Sequence, residues 1–126
     1  MMTITQSDTS QVVWSPDRKR LAYITADSLR AYTVQNNEID EQYHTLATGS
    51  YINVKWSPNG RYLMALREDN ALTVFAFGRT RFKALFEASA STGEWLEDDE
   101  LLFVPTDGGL MIAYMGPKPQ AFHLAG

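Results

Sequence analysis

Apolar and polar positions along this chain alternate in short bursts, and the bursts recur. From Val54 to Phe77 the sequence reads VKWSPNGRYLMALREDNALTVFAF, and from Val12 to Val34 it reads VVWSPDRKRLAYITADSLRAYTV. Each stretch holds a tryptophan, a polar turn, an apolar run, a second turn opened by an aspartate, and another apolar run. A third copy begins at Trp95, so Trp14, Trp56 and Trp95 lie 42 and 39 residues apart. The first turns are SPDRKR, SPNGRY and LEDDE, and the runs after them are LAYIT, LMALR and LLFVP. Asp27, Asp69 and Asp107 follow their tryptophans by 13, 13 and 12 residues, so the third copy is one residue short in its first turn. The later runs are LRAYTV, LTVFAF and LMIAYM, then QYHTL, FKALF and QAFHL. The chain is a threefold repeat of four short apolar runs.

These runs are rich in β-branched and aromatic residues and bounded by Gly, Pro, Asn and Asp, which predicts strands. Leu21 and Tyr23, Leu63 and Ala65, and Leu101 and Phe103 keep one phase across the copies, as a period of two demands. Asn59-Gly60 and Asp107-Gly108 supply residues that tolerate positive φ in tight turns. Arg81 to Ala90 has the propensity of a short helix, but the repeat register makes it a fourth strand. The expected unit bounds are about 11–47, 52–88 and 92–125, within one domain spanning 1–126.

Four-stranded antiparallel units of this period build β-propellers. Trp14-Ser15-Pro16-Asp17 and Trp56-Ser57-Pro58-Asn59-Gly60, with the LAYIT and LMALR runs, resemble WD40-type blades and are similar to those of TolB-like propellers. The resemblance covers about Gln11 to Leu124 and implies an all-β fold of three four-stranded blades. It implies little about function, because such blades serve many tasks. The chain also departs from the pattern. The Gly-His and Trp-Asp dipeptides of typical WD40 blades are missing, Arg18 stands where the second copy has Gly60, and Leu96-Glu97 replaces Ser-Pro in the third copy. A non-glycine residue held at positive φ costs about 1 kcal/mol, so either the first turn carries that cost or its shape differs.

Three blades do not close a ring, and an open arc exposes the apolar faces of its first and last members. The expected remedy is self-association, with two chains pairing into a six-bladed ring; the alternative is that the chain is an excised piece of a longer propeller. The last unit is expected to end at a blade boundary, and Met2 to Thr5, which falls where a preceding fourth strand would end, reads first as a frayed terminus and second as a lead-in from a neighbouring blade. Asp17, Arg18, Lys19 and Arg20 sum to +2 in the first copy's turn, and Glu97, Asp98, Asp99 and Glu100 sum to -4 in the third's; these read first as solvated hairpin tips and second as turns whose opposite charge favours closure. In a two-chain ring these turns become neighbours. The three tryptophans are expected to pack between blades.

Composition narrows the chemistry. With 126 residues, 44% of them hydrophobic and 21% charged, the chain has the means to bury a core. A net charge of -4 offers no basic excess for nucleic acid or an anionic membrane. The absence of cysteine removes disulfide and thiolate chemistry, and with no apolar leader or membrane-length run a cytoplasmic location is the default expectation. There is no Gly-x-Ser-x-Gly elbow and no phosphate-binding Gly-rich loop. His44 and His123, each after an aromatic residue in corresponding fourth runs, read as an echo of the repeat before they read as a metal site. Lys55 and Glu94 precede their tryptophans in the presumed innermost strands, with Val13 the third member of the set, and are candidate channel residues. The acidic cluster from Glu94 to Glu100 lacks the spacing of a calcium loop. An axial-metal propeller enzyme would have only Glu94 and Asn53 to draw on. The sequence therefore points to a non-enzymatic scaffold or protein- and peptide-interaction module without a cofactor, acting as a homodimer. A regulatory or gating fragment of a larger protein is the alternative.

Overall fold

The computed structural model describes residues 9–35, 38–40, 45–78, 82–116 and 118–125. Its strands run β1 (Thr9–Trp14), β2 (Arg20–Thr25), β3 (Ser28–Gln35), β4 (Glu38–Asp40), β5 (Thr45–Thr48), β6 (Tyr51–Trp56), β7 (Tyr62–Arg67), β8 (Ala71–Phe77), β9 (Phe82–Glu97), β10 (Glu100–Pro105), β11 (Leu110–Tyr114) and β12 (Gln120–Ala125). All pair antiparallel. A five-stranded sheet holds β1 to β3 in order, with β4 and β5 both on the far edge of β3, and β6 to β12 form a seven-stranded meander. Among the described residues no helix is long and apolar enough to cross a membrane.

The first three strands of each unit coincide with the repeat; in the first unit most of the expected fourth run, QYHTL, lies outside the described residues, and β4 and β5 both pair with β3. Trp14 pairs with Leu21 and Leu21 with Tyr32; Trp56 pairs with Leu63 and Leu63 with Phe75. Trp95 pairs with Leu101 and Leu101 with Ala113 in the same way. Cross-strand partners share a face, so each tryptophan marks one face of its unit and the alternate residues mark the other. That rule places the core. The non-tryptophan face of the first unit (Ala22, Ile24, Leu29) packs on the tryptophan face of the second (Trp56, Leu63, Phe75). The opposite face of the second (Met64, Leu66, Val74) packs on the tryptophan face of the third (Leu101, Phe103, Ala113). The apolar core therefore lies between units.

The described part of the Arg81 to Ala90 stretch is strand: from Phe82 to Ser89 it is paired along β8, and that pairing outweighs its helix propensity; Arg81 lies outside the described residues. The strand then runs on through the interval expected to separate the second and third units. Ser89 is its last partner on β8, and Ala90 its first on β10. The residues between, Ala88 to Gly93, contain no Pro, Asn or Asp to turn the chain, so the backbone stays extended while it changes partners. The equivalent crossing after the first unit is broken at Gly49, where φ is 127°. Both crossings are clamped: Gly49 N–H donates to Asp27 O and Ala90 N–H to Asn70 O, each at 2.8 Å.

Candidate functional site

The chemistry of this chain is concentrated where units meet. The Trp56 indole Nε1 donates to the carbonyl of Val13 at 3.1 Å, and Trp95 Nε1 donates to the carbonyl of Lys55 at 2.8 Å. Val13 and Lys55 occupy one repeat position, immediately before a tryptophan, so one bond is made twice. Trp56 is buried and packs on Phe77 at 5.3 Å, and Trp95 stacks on Tyr62 at 6.0 Å. Trp14 differs: 39% of it is exposed. Sequence reasoning placed the tryptophans between units but missed these bonds. Their signal was the recurrence of a tryptophan at one place in each repeat, and a backbone acceptor has no side-chain signature.

A second set of contacts ties the turns together. The Arg20 guanidinium reaches the carbonyls of Gly60 at 3.3 Å and Gly78 at 3.5 Å and lies over the Phe77 ring. Tyr62, the counterpart of Arg20 in the next unit, donates its hydroxyl to the carbonyl of Met115 at 2.8 Å. The third counterpart is Glu100, which as a carboxylate has nothing to donate. Arg18 has φ 60° against 73° at Gly60, so the first turn keeps the glycine shape with a side chain on it. The Asp17 carboxylate anchors that turn, accepting from Ser15 Oγ at 2.6 Å and Lys19 N–H at 3.0 Å. Partial burial pulls the Asp17 carboxyl upward, but these bonds and the Arg20 and Lys19 charges outweigh it and hold the group below its ordinary value.

Among the candidate residues, the structure brings Lys55 and Glu94 together. Lys55 Nζ lies 2.7 Å from Glu94 Oε2 and donates to Gly93 O at 3.1 Å. Glu94 is largely exposed and Lys55 partly buried, so the pair contributes at most about 1 kcal/mol. The turns Arg18-Lys19-Arg20 and Glu97-Asp98-Asp99-Glu100 are not joined by an ion pair among the described residues; Arg18, Lys19 and Glu97 to Asp99 are exposed. His123 is exposed on β12, and His44, like Met2 to Thr5, lies outside the described residues. No group of three or more His, Cys, Asp or Glu among the described residues has a metal-site arrangement. A cleft of about 880 Å³ opens between the second and third units, lined by Tyr62, Phe77, Phe82, Lys83, Asp99 and Met115.

The outward faces are the third feature. Seven large apolar side chains are exposed among the described residues. Val12 and Trp14 lie on the tryptophan face of the first unit, at whose centre Leu21 and Tyr32 are buried. Tyr114 and Phe122 lie on the opposite face of the third, and Leu96 and Leu124 are exposed on the same unit at irregular points of its ladders. Only Ile52 falls elsewhere. The exposed apolar residues thus mark the two ends of the stack.

No protein-family model matches the sequence. Solved structures do match. A protein from Bacteroides uniformis assigned as a 6-phosphogluconolactonase is similar over 98% of this chain and 42% of its own, with TM-score 0.63 and 14% identity. The Swd1 β-propeller domain of Myceliophteria thermophila is similar over 98% of this chain and 41% of its own, with TM-score 0.62 and 16% identity. Hsv2 of Kluyveromyces lactis is similar over 94% of this chain and 48% of its own, with TM-score 0.64 and 16% identity. The chain spans less than half the length of each. At such identities the likeness shows the fold alone, and that fold is the propeller-type stack of antiparallel blades.

Proposed function

We propose that this chain is a non-enzymatic interaction scaffold whose three repeat units are three blades, and that two copies associate into one six-bladed ring. The observation that carries this reading is the placement of exposed apolar side chains on the first and third units' outward faces. Buried faces of the same kind already hold the units together inside the chain. Covering these faces removes apolar area from water and shields the end blades, as closure does in propellers. Protein or peptide ligands then bind on a ring face or at the channel mouth, where the Lys55–Glu94 pair offers both signs of charge. Light scattering after size exclusion, over a range of concentrations, tests the assembly. A species of twice the 14.2 kDa chain mass is expected; a well-folded monomer at every concentration would refute it.

The neighbours' lengths favour a second reading, a regulatory or gating segment of a longer propeller protein. The chain spans 41% of the Swd1 domain and 48% of Hsv2. On that reading, the isolated chain binds hydrophobic dyes through its open faces and forms aggregates of no fixed mass.

A further inference from the structure

We infer that the seam between copies repeats the seam inside the chain. The third unit of one copy receives the first unit of another, Trp14 Nε1 donates to the Glu94 carbonyl, and Arg18 faces the Glu97 and Asp98 carboxylates. The inference rests on the self-association reading above and specifies the surfaces it uses.

Three independent features set this register. The first is the indole bond. Val13, Lys55 and Glu94 hold equivalent places, paired with Ala22, Met64 and Leu102 respectively. The carbonyls of the first two accept an indole from the following unit. The series leaves one donor over, on Trp14, and one acceptor, the Glu94 carbonyl, at opposite ends of the stack.

The second is the corner of the turn. A Cβ built on Gly60 would lie 3.4 Å from the Asp17 carboxylate of the preceding unit. A side chain at that place is therefore aimed at the preceding unit's first turn. In the first unit the place is held by Arg18, in the same left-handed conformation. The turn it would meet across a copy-to-copy seam is Glu97-Asp98-Asp99-Glu100. At the internal seams the preceding unit supplies the donor, through Arg20 or Tyr62, and the following unit a carbonyl. At the outer seam the roles reverse: Glu100 and its neighbours accept, and Arg18 and Lys19 donate. Such charge-assisted bonds are stronger than neutral ones.

The third is apolar continuity. Val12 and Trp14 extend the outward face of the first unit, and Tyr114 and Phe122 that of the third. They stand on the faces that are buried at the internal seams.

Paired charge reversals test the register. One variant carries Arg18→Glu and Lys19→Glu, the other Glu97→Lys and Asp98→Lys; all four sites are exposed, and circular dichroism checks that each chain folds. Alone, each variant sets like charges against each other at both seams of a two-chain ring. Mixed, they restore opposite charges at both. Each variant alone should associate at least tenfold more weakly than the wild type, and the equimolar mixture should regain a dimeric mass. If the wild type is dimeric and the variants alone associate equally well, or the mixture stays monomeric, this register is wrong while self-association stands. A wild type that is monomeric throughout removes both.

Discussion

Ser15 and Ser57 do the same work in two turns that differ two positions further along, at Asp17 and Asn59. Both hydroxyls are buried, and each accepts a backbone N–H at 3.0 Å, from Arg20 and Tyr62. Each also donates onward, to Asp17 at 2.6 Å in one copy and to Asn59 at 2.8 Å in the other. The amide and the carboxylate are interchangeable as acceptors but not as acids. Because the Asp17 pKa is depressed in the folded chain, its contribution is present above its ordinary value of 3.8 and is lost as pH falls through the folded value. Asp17→Asn keeps the acceptor oxygen and removes the titration. Urea unfolding under dilute conditions should show the wild type losing stability relative to the variant below about pH 4; parallel profiles would contradict the anchoring role. Arg18 offers a second test at this scale. Its φ of 60° is strained for any residue with a Cβ. Arg18→Gly should raise the stability of the dilute chain by up to about 1 kcal/mol and at the same time weaken self-association. A variant that gains in both would leave the arginine without a role at the seam.

At the scale of elements, the strands were legible because period and punctuation agreed: an apolar run, a turn residue, and the same phase in every copy. Leu21, Leu63 and Leu101 fall on equivalent faces, as their spacing requires. What the pattern concealed was the continuity of β9, because a strand that changes neighbours needs no turn residue to announce it. Gly93, on that strand, was equally silent. A Cβ there would sit 2.6 Å from Met64 Sδ and 3.2 Å from a Leu72 methyl, so its lack of a side chain lets the third unit approach the second. Gly93→Ala should cost about 1–3 kcal/mol in urea unfolding, the usual penalty of overpacking. An unchanged midpoint would mean that the two units are not in close contact there. The indole-to-carbonyl bonds were hidden for a related reason, since sequence shows the donor and never the backbone acceptor.

For the whole molecule, the threefold repeat, its strand-forming runs and its Trp-Ser-Pro turns made the propeller-type fold legible, and an open row of units implies two end faces. Ligand chemistry was not legible, because the residues that hold units together are the repeated ones and no singular constellation stands out beside them. Lys55 and Glu94 were found as a pair by position, yet their 2.7 Å contact is satisfied within the chain. Trp56 and Trp95 each donate to the unit before them, and Trp14 should do the same when copies assemble. Solvent exchange of the three indole N–H protons, followed by NMR on the 15N-labelled chain across its association range, measures this directly. Trp56 and Trp95 should be protected at every concentration, and Trp14 should pass from fast exchange to protection as the mass doubles. A dimeric sample in which the Trp14 indole still exchanges freely would contradict the account.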